Sequence, residues 1–264
     1  MTEQSQNRCL RFHELTAPEI RELAPAAVTV LPLGATEQHG RHLATGTDTF
    51  INQGLQDRLF ANAPAGTFLF LPTLPFGASE HHLDYGGTLS LRPSRYVRLL
   101  VDLLANLTEA GHRKIVLLNS HGGNHAPMQA ALAECARSVA AAGSFVVGLT
   151  YWESAESLWR AEIPDLETTR MGHACELETS MMLTLRPDIT DKPAPEESPF
   201  PSVNEQFKSS ALPFPHLTRE GHMGNPRAAS PEKGEALLDQ AARGLRRYLA
   251  DFYHSDLPEK QFPR

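Results

Sequence analysis

The segment AVTVLPLGATEQHG, residues 27–40, decides the fold. Its first seven residues are apolar or β-branched, which is typical of a strand buried on both faces of a parallel sheet. Three similar runs follow along the chain, at residues 67–71, 114–118 and 144–150. Each run is short and is bounded by glycine or proline, so the sequence predicts four buried strands.

Longer amphipathic stretches separate and follow these strands, and they predict helices. The alternation of strand and helix predicts an α/β fold, in which helices cover both faces of a largely parallel sheet. The predicted helices span residues 47–61, 93–110, 124–142, 173–185 and 231–253.

The composition is that of one ordinary globular domain. Among 264 residues, 41% are hydrophobic and 21% are charged, which is ample material for one sizeable core. We therefore predict a single α/β domain over residues 1–264. One stretch, at about residues 194–215, departs from the pattern, because its prolines, glutamates and serines exclude a regular helix or a central strand. We expect a long surface excursion there, which could reach a neighbouring subunit.

Charge and cysteine content exclude several classes of protein. The formal net charge of −7 opposes binding to phosphate backbones, so no nucleic-acid partner is expected. No basic run or apolar stretch of about 20 residues indicates a membrane partner. Three cysteines are too few for a disulfide framework, and the first ten residues lack the pattern of a signal peptide. We expect a cytoplasmic protein.

The loops that follow the predicted strands carry residues suited to chemistry, and ligands bind beyond the carboxyl ends of strands in such sheets. Glu37 and His39 follow the first strand, where flanking glycines allow both side chains to aim at neighbouring points. Asp48 stands at a predicted helix start, where it either caps the helix or bridges two cations. His121 precedes two glycines, so it is either a solvated turn residue or a ligand.

A histidine and two glutamates follow later, at His173, Glu176 and Glu178. If residues 173–185 are helical, His173 and Glu176 share one face and Glu178 points elsewhere. Together with the loop residues, Glu176 completes a set of two imidazoles and three carboxylates. Such a set suits a pair of divalent metal ions such as Zn²⁺ or Mn²⁺. The five predicted metal ligands are Glu37, His39, Asp48, His121 and Glu176.

Three motifs together resemble the creatininase (creatinine amidohydrolase) family. They are LPLGATEQHG at residues 31–40 with Asp48 following, NSHGGN at 119–124, and HACELETS at 173–180. The resemblance implies a three-layer α/β/α sandwich with a mainly parallel sheet, assembled as a homohexamer. It also implies two metal ions per chain, zinc or manganese with iron as a further option. Glu37 and His121 would hold one ion and His39 the other, with Asp48 between them.

The resemblance also implies roles around the metals. His173 matches a histidine near the substrate, and we expect it to be the general acid, with Glu178 as the second choice. Creatininase itself has a metal-binding glutamate at the place of Gly123. We expect Glu176 to supply that carboxylate, with Glu178 as the fallback. The predicted contacts with the substrate are Ser79, Trp152 and Gly122.

The predicted reaction is hydrolysis of a C–N bond in a small amide, cyclic amide or formamide by a metal-activated water. A peptide-trimming metallohydrolase of a cofactor-maturation pathway is the first alternative. A non-catalytic metal-binding scaffold is the second. A serine hydrolase using Ser120 beside His121 is the third, although the chain lacks a G-x-S-x-G motif.

Overall fold

The computed structural model describes residues 7–163, 165–168, 170–190, 193–200 and 212–258. Within these residues, five parallel strands form one sheet in the order β1-β3-β2-β4-β5. The strands are β1 (Arg8–Arg11), β2 (Val28–Leu33), β3 (Thr67–Phe70), β4 (Lys114–Asn119) and β5 (Phe145–Thr150).

Helices connect these strands and follow them. They are α1 (Ala17–Leu23), α2 (Thr47–Ala61), α3 (Pro93–Glu109), α4 (His125–Ala141), α5 (Glu156–Glu162), α6 (Glu176–Leu185) and α7 (Pro231–His254). No helix in the described ranges is long and apolar enough to cross a membrane.

The sheet has a hydrophobic core on each face. Alternate residues of a strand point to opposite faces, so Val28 and Val30 of β2 join one core and Leu31 and Leu33 join the other. Helices α2, α5, α6 and α7 contribute to the first core, and α3 and α4 contribute to the second. The predicted three-layer α/β/α architecture with a parallel sheet is therefore confirmed.

The chain differs from the predicted elements at one strand and three helices. The edge strand β1 was not predicted because two of its four residues, Arg8 and Arg11, are charged. The short helices α1 and α5 also lay outside the prediction. Helix α6 begins at Glu176, not at residue 173, because Cys175 is extended and Ala174 has a positive φ of 48°.

Described parts of the proline-rich stretch pack back onto the domain. Ser198 pairs with Gly224 in an isolated β-bridge, and Phe214 is only 7% exposed. Most of the other described residues of the stretch are partly or fully exposed. The rest of the predicted excursion, residues 201–211, lies outside the described residues.

Candidate active site

The fold gathers five ionisable side chains at the carboxyl ends of β2 and β4. Glu37 and His39 leave β2, Asp48 lies in the first turn of α2, and His121 follows β4. Glu178, in the first turn of α6, completes the group. None of the five is more than 4% exposed. We call Glu37, His39, Asp48, His121 and Glu178 the ligand cluster.

Asp48 lies between the two histidines of the ligand cluster. Its Oδ1 is 3.6 Å from His39 Nε2, and its Oδ2 is 3.4 Å from His121 Nδ1. The remaining carboxylates flank this axis, with Glu37 Oε1 3.2 Å from His121 Nδ1 and Glu178 Oε1 3.9 Å from His39 Nε2. Two ligands of one tetrahedral zinc ion lie about 3.3 Å apart when each bond is about 2.0 Å, so the spacings suit ligands of shared ions.

Several of these atoms have no hydrogen-bond partner among the described residues. The buried atoms that lack a partner include both carboxylate oxygens of Glu37, Nε2 of His39 and Oδ2 of Asp48. Buried polar atoms without partners are costly, so their convergence indicates that they bind something in common. A mixed set of imidazole nitrogens and carboxylate oxygens fits zinc or manganese.

Backbone carbonyls fix which ring nitrogen of each histidine faces the ligand cluster. Nδ1 of His39 lies 3.1 Å from the Glu37 carbonyl, and Nε2 of His121 lies 3.2 Å from the Ala78 carbonyl. Since a carbonyl oxygen only accepts, each of these nitrogens carries the proton. When the ring is neutral, the opposite nitrogen therefore presents a lone pair to the ligand cluster, as a metal-binding histidine does.

Gln38 sets the protons of two further histidines beside the ligand cluster. Its side-chain amide is oriented by the Gly40 N–H, which donates to Oε1 at 2.9 Å, and by the Gly221 carbonyl, which accepts from Nε2 at 3.0 Å. Nε2 therefore also donates to His82 Nδ1 at 2.7 Å, so a neutral His82 carries its proton on Nε2. Nε2 of His173 donates to the Gln38 backbone carbonyl at 2.8 Å.

His82 and His173 consequently approach the same carboxylate with different nitrogens. His82 Nε2, with its proton, lies 3.6 Å from Glu37 Oε1. His173 Nδ1, with a lone pair, also lies 3.6 Å from Glu37 Oε1. The rings of the two histidines stack at 4.3 Å, and Phe214 packs against both. His82 thus offers a hydrogen-bond donor and His173 an acceptor.

Burial and mutual charge shift the pKa values inside the ligand cluster. Burial opposes ionisation of Glu37, but His121, followed by His82 and His173, holds its pKa well below the usual value. Burial disfavours a charged His39, yet Asp48 and then Glu178 raise its pKa to about 10. Burial raises the pKa of Glu178 to about 7. In the absence of cations, the ligand cluster therefore holds protons that bound cations would displace.

The structure places Glu176, predicted as a metal ligand, outside the ligand cluster. Its Oε1 accepts from Lys233 Nζ at 2.6 Å, and its Oε2 accepts from the backbone N–H groups of Glu167 at 3.0 Å and Thr168 at 3.3 Å. The prediction assumed one helical face for residues 173 and 176. Because α6 begins only at Glu176, that face does not exist, and Glu178 points into the ligand cluster instead.

A cavity of about 280 Å³ opens beside the ligand cluster. Gly122 and Trp152 line it, as the predicted contacts with a substrate would. Ser79 does not, and the prediction for it is corrected: Ser79 is fully buried, and its hydroxyl lies 3.1 Å from His121 Nε2, on the side of the ring away from Glu37. Ser79 therefore supports the orientation of His121.

Several residues that line this cavity were not predicted from the sequence, among them His81, His82, Arg170 and Phe214. His81 and His82 lie in the loop after β3, and the sequence alone does not distinguish a loop histidine in a site from one in solvent. Phe214 and Arg170 do not come directly after a strand. Phe214 follows the stretch 201–211, and Arg170 lies seven residues after Ile163, where helix α5 has ended. The clearest available signal was the pair of adjacent histidines.

Ser120 is placed unfavourably for a serine nucleophile. Its hydroxyl lies 3.0 Å from the Leu33 carbonyl and 2.9 Å from the Asp48 carbonyl, and it is 2% exposed. The hydroxyl is therefore committed to the backbone, which argues against the serine-hydrolase alternative.

The chain matches the family model for creatininase, described as creatinine amidohydrolase, over residues 13–249. It is 28% identical to the creatinine amidohydrolase of Pseudomonas putida, over 91% of this chain and 94% of that protein. It is 27% identical to the mycofactocin precursor peptide peptidase of Mycolicibacterium smegmatis, over 87% of this chain and 86% of that protein.

Solved structures agree with these sequence matches. A mutant creatininase in which alanine replaces a tryptophan superposes with a TM-score of 0.79 at 25% identity, covering 94% of this chain and 100% of the other. A second mutant creatininase, of Zn-Zn type and with glutamine in place of a glutamate, has a TM-score of 0.75 at 25% identity and 93% and 98% coverage. The fold, the extent of the matches and the buried ligand cluster together identify the chain as a metal-dependent amidohydrolase of the creatininase family.

Proposed function

We propose that this protein hydrolyses the C–N bond of a small amide, cyclic amide or formamide with two divalent metal ions per chain. The observation that carries the proposal is the position of Asp48. Its two carboxylate oxygens face different histidines, at 3.6 Å and 3.4 Å, so one side chain can serve two ions at once.

The ligand cluster divides into two sets that share Asp48. Glu37 and His121 would hold one ion, and His39 and Glu178 would hold the other. Glu178 thus takes the place that the sequence assigned to Glu176. When bound, zinc or manganese would lower the pKa of a water and polarise the substrate carbonyl.

His173 is suited to move the proton that hydrolysis requires. Its proton on Nε2 is donated to a backbone carbonyl, so its Nδ1 lone pair, which faces the ligand cluster, is free to accept a proton from the attacking water. The same nitrogen then delivers that proton to the leaving nitrogen as the C–N bond breaks. His173 therefore acts first as a general base and then as the general acid that the sequence predicted.

The size of the cavity favours a small substrate. A volume of about 280 Å³ lies just below the range of ligand pockets, which is about 300–1,000 Å³. We therefore propose a non-peptide amide as the substrate. The peptide-trimming alternative is favoured by the similar mycofactocin precursor peptide peptidases, and it needs only the terminal residues of a peptide to enter.

Assembly and location belong to the same proposal. We propose a homohexamer, on the family resemblance alone, and light scattering of the purified protein measures it directly. We also propose a cytoplasmic location, which suits three cysteines that form no disulfide with one another.

The proposed function is tested by removing and restoring the metals. The protein is treated with a chelator, and zinc or manganese is then added back while small amides, formamides and short peptides are screened for hydrolysis. We expect about two ions per chain and activity only with metal. Activity that survives complete removal of metal would overturn the proposal. Two bound ions without turnover of any substrate would favour the non-catalytic scaffold.

His173→Gln tests the proton transfer separately. We expect this variant to retain two ions, because the ligand cluster is intact, and to lose about 100- to 10,000-fold in kcat, the usual contribution of general acid–base catalysis. His13→Gln, which changes an exposed histidine outside the cavity, is the matched control. Full kcat in a metal-replete His173→Gln protein would remove His173 from the mechanism.

A further inference from the structure

The cavity beside the ligand cluster has one strongly basic residue in its lining. Among the described residues, Arg170 is the only lysine or arginine there, and it shares the lining with the carboxylates of Glu37, Asp48 and Glu178. Two divalent cations would outweigh these three negative charges. With Arg170 added, the loaded cavity carries an excess of positive charge, and such a cavity favours an anionic ligand.

The backbone that carries Arg170 is held firmly against the site. Three residues further on, His173 exchanges two hydrogen bonds with Met223, at 3.3 Å and 2.8 Å. Gly172, which lies between Arg170 and His173 in the chain, passes very close to Met223. A Cβ atom at Gly172 would lie 2.4 Å from the Met223 carbonyl oxygen. These contacts fix the backbone two and three residues after Arg170, and the Arg170 N–H itself donates to the Thr168 hydroxyl at 3.1 Å.

The guanidinium of Arg170 is oriented by an aromatic ring. Its Cζ lies 4.7 Å from the centre of the Phe200 ring, a cation–π contact. By contrast, Arg58, Arg186 and Arg227 each lie within 4.0 Å of a carboxylate, and in the described part of the chain no carboxylate lies that close to Arg170. Since Phe200 is an aromatic partner and no described carboxylate pairs with Arg170, the N–H donors of the guanidinium are available for the planar carboxylate of a ligand.

Apolar side chains line the cavity along with Arg170 and the ligand cluster. Trp152, Met171, Phe214 and Met223 supply this surface. A ligand that fills the cavity would meet three environments: the ligand cluster at the reacting bond, an apolar wall, and a guanidinium.

We infer that Arg170 binds a carboxylate group of the substrate, so that the substrate is a small amide with an apolar body and a carboxylate away from the bond that is cut. N-acylated amino acids have this chemistry. The inference rests on the proposed hydrolysis at the ligand cluster, and it adds the class of substrate. The C-terminal carboxylate of a peptide has the same chemistry, and the experiment separates the two sources.

Binding is measured first, because it does not depend on turnover. The zinc-loaded protein is titrated with 3-phenylpropanoate by calorimetry, and Arg170→Gln, Arg170→Lys and Arg137→Gln are compared with the parent. Arg137 is exposed on α4, across the sheet, and serves as the charge-matched control. We expect about 10- to 100-fold weaker binding in Arg170→Gln, an intermediate loss in Arg170→Lys and none in the control. Equal affinity in Arg170→Gln and the parent would overturn the inference.

Turnover is then compared for substrates that differ only in the carboxylate. Formate release from N-formyl-L-phenylalanine and from N-formyl-L-phenylalaninamide is followed, together with cleavage of a decapeptide with a free or an amidated C-terminus. We expect a preference of about 10- to 100-fold in kcat/KM for the free N-formyl acid, lost in Arg170→Gln through a higher KM. An Arg170-dependent preference seen only with the decapeptide would assign the carboxylate to a peptide and overturn the small-molecule class.

The two proposals fail in different ways. Hydrolysis of both N-formyl compounds at equal rates would leave the proposed function standing and overturn the carboxylate site. Binding of 3-phenylpropanoate that depends on Arg170, without hydrolysis of any amide, would support the carboxylate site and contradict the proposed function.

Discussion

Two glutamates in the first turn of α6 allow a sharp test, because they lie two residues apart and have different partners. Glu178 faces His39 in the ligand cluster at 3.9 Å. Glu176 faces Lys233 at 2.6 Å and has no exposed surface. We predict that Glu178→Gln loses metal and keeps stability, whereas Glu176→Gln loses stability and keeps metal.

The expected loss in the free energy of unfolding of Glu176→Gln follows from the contacts of Glu176. Breaking a buried ion pair on one side costs about 3–5 kcal/mol. Lys233 retains a hydrogen bond to the Ala228 carbonyl at 2.7 Å and is 17% exposed, so we expect the loss to be about 2 kcal/mol. For a chain of this size, that loss lowers Tm by roughly 4–8 °C. The measurement is thermal unfolding of metal-free protein, so that bound metal does not contribute.

The magnitude for Glu178→Gln concerns metal affinity. Loss of a residue that only supports a ligand weakens metal binding by about 10- to 100-fold, so loss of a ligand should exceed about 100-fold at one of the two ions. Without metal, burial raises the pKa of Glu178 to about 7, above its value in the unfolded chain. Folding therefore takes up a proton, and stability falls as the pH rises from about 4.5 to about 7. Glutamine removes this loss, so metal-free Glu178→Gln should be at least as stable as the parent at pH 8.

Elemental analysis and unfolding of both variants complete the test. We expect about one tightly bound ion per chain in Glu178→Gln and about two in Glu176→Gln. The assignment of the second metal to Glu178 is refuted if Glu178→Gln keeps both ions at parental affinity. Loss of an ion from Glu176→Gln would refute the separation of the two glutamates.

Three other predictions concern the same site. Binding of zinc should release at least one proton and should strengthen as the pH rises toward about 10. Burial lowers the pKa of His39, but Asp48 outweighs burial and raises the pKa to about 10. Calorimetry in buffers of different ionisation enthalpy measures the released protons. Gly123→Ala should reduce metal content, since a Cβ atom there would lie 2.3 Å from the Ala78 carbonyl oxygen and 2.4 Å from His121 Nε2, the two groups whose contact orients the ring; elemental analysis detects the loss. Gln38→Leu should move the proton of the His82 ring from one nitrogen to the other, which ¹⁵N NMR reports. It should also lower kcat more than it raises KM.

Each of these predictions has a contradicting result. Zinc affinity that does not change between pH 6 and pH 9 would exclude a protonated His39 in the metal-free protein. Parental metal content in Gly123→Ala would show that His121 tolerates displacement. Unchanged ¹⁵N shifts in Gln38→Leu would show that another group sets the proton of His82.

The sheet could be predicted because its strands are buried on both faces. Runs such as residues 27–33 need no partner to be recognised, since their apolar character is continuous. Strand β1 escaped prediction because Arg8 and Arg11 make it partly polar, and its position is fixed by pairing with β3. Pairing of this kind depends on distant residues, which a local pattern does not contain.

The candidate site was predictable where the residues directly follow strands. Glu37, His39 and His121 lie in such loops, and Asp48 lies at the start of the helix that follows. The choice between Glu176 and Glu178 depended on where α6 begins, and the positive φ of Ala174 sets that boundary. No sequence pattern in this chain marks that single left-handed residue.

Residues far from the strand ends could not be placed from the sequence. Phe214 reaches the rings of His82 and His173 from beyond the proline-rich stretch. The tautomers set by Gln38 also depend on Gly221, which is 183 positions away. Such contacts arise only when the chain has folded.

The proposed function depends on one carboxylate, Asp48, lying between two metal ions. The most direct measurement is anomalous diffraction at the zinc and manganese edges from crystals of the reconstituted protein. We expect two peaks about 3.5–4 Å apart, one beside Glu37 and His121 and the other beside His39 and Glu178. A single peak, or a second peak outside the ligand cluster, would contradict it.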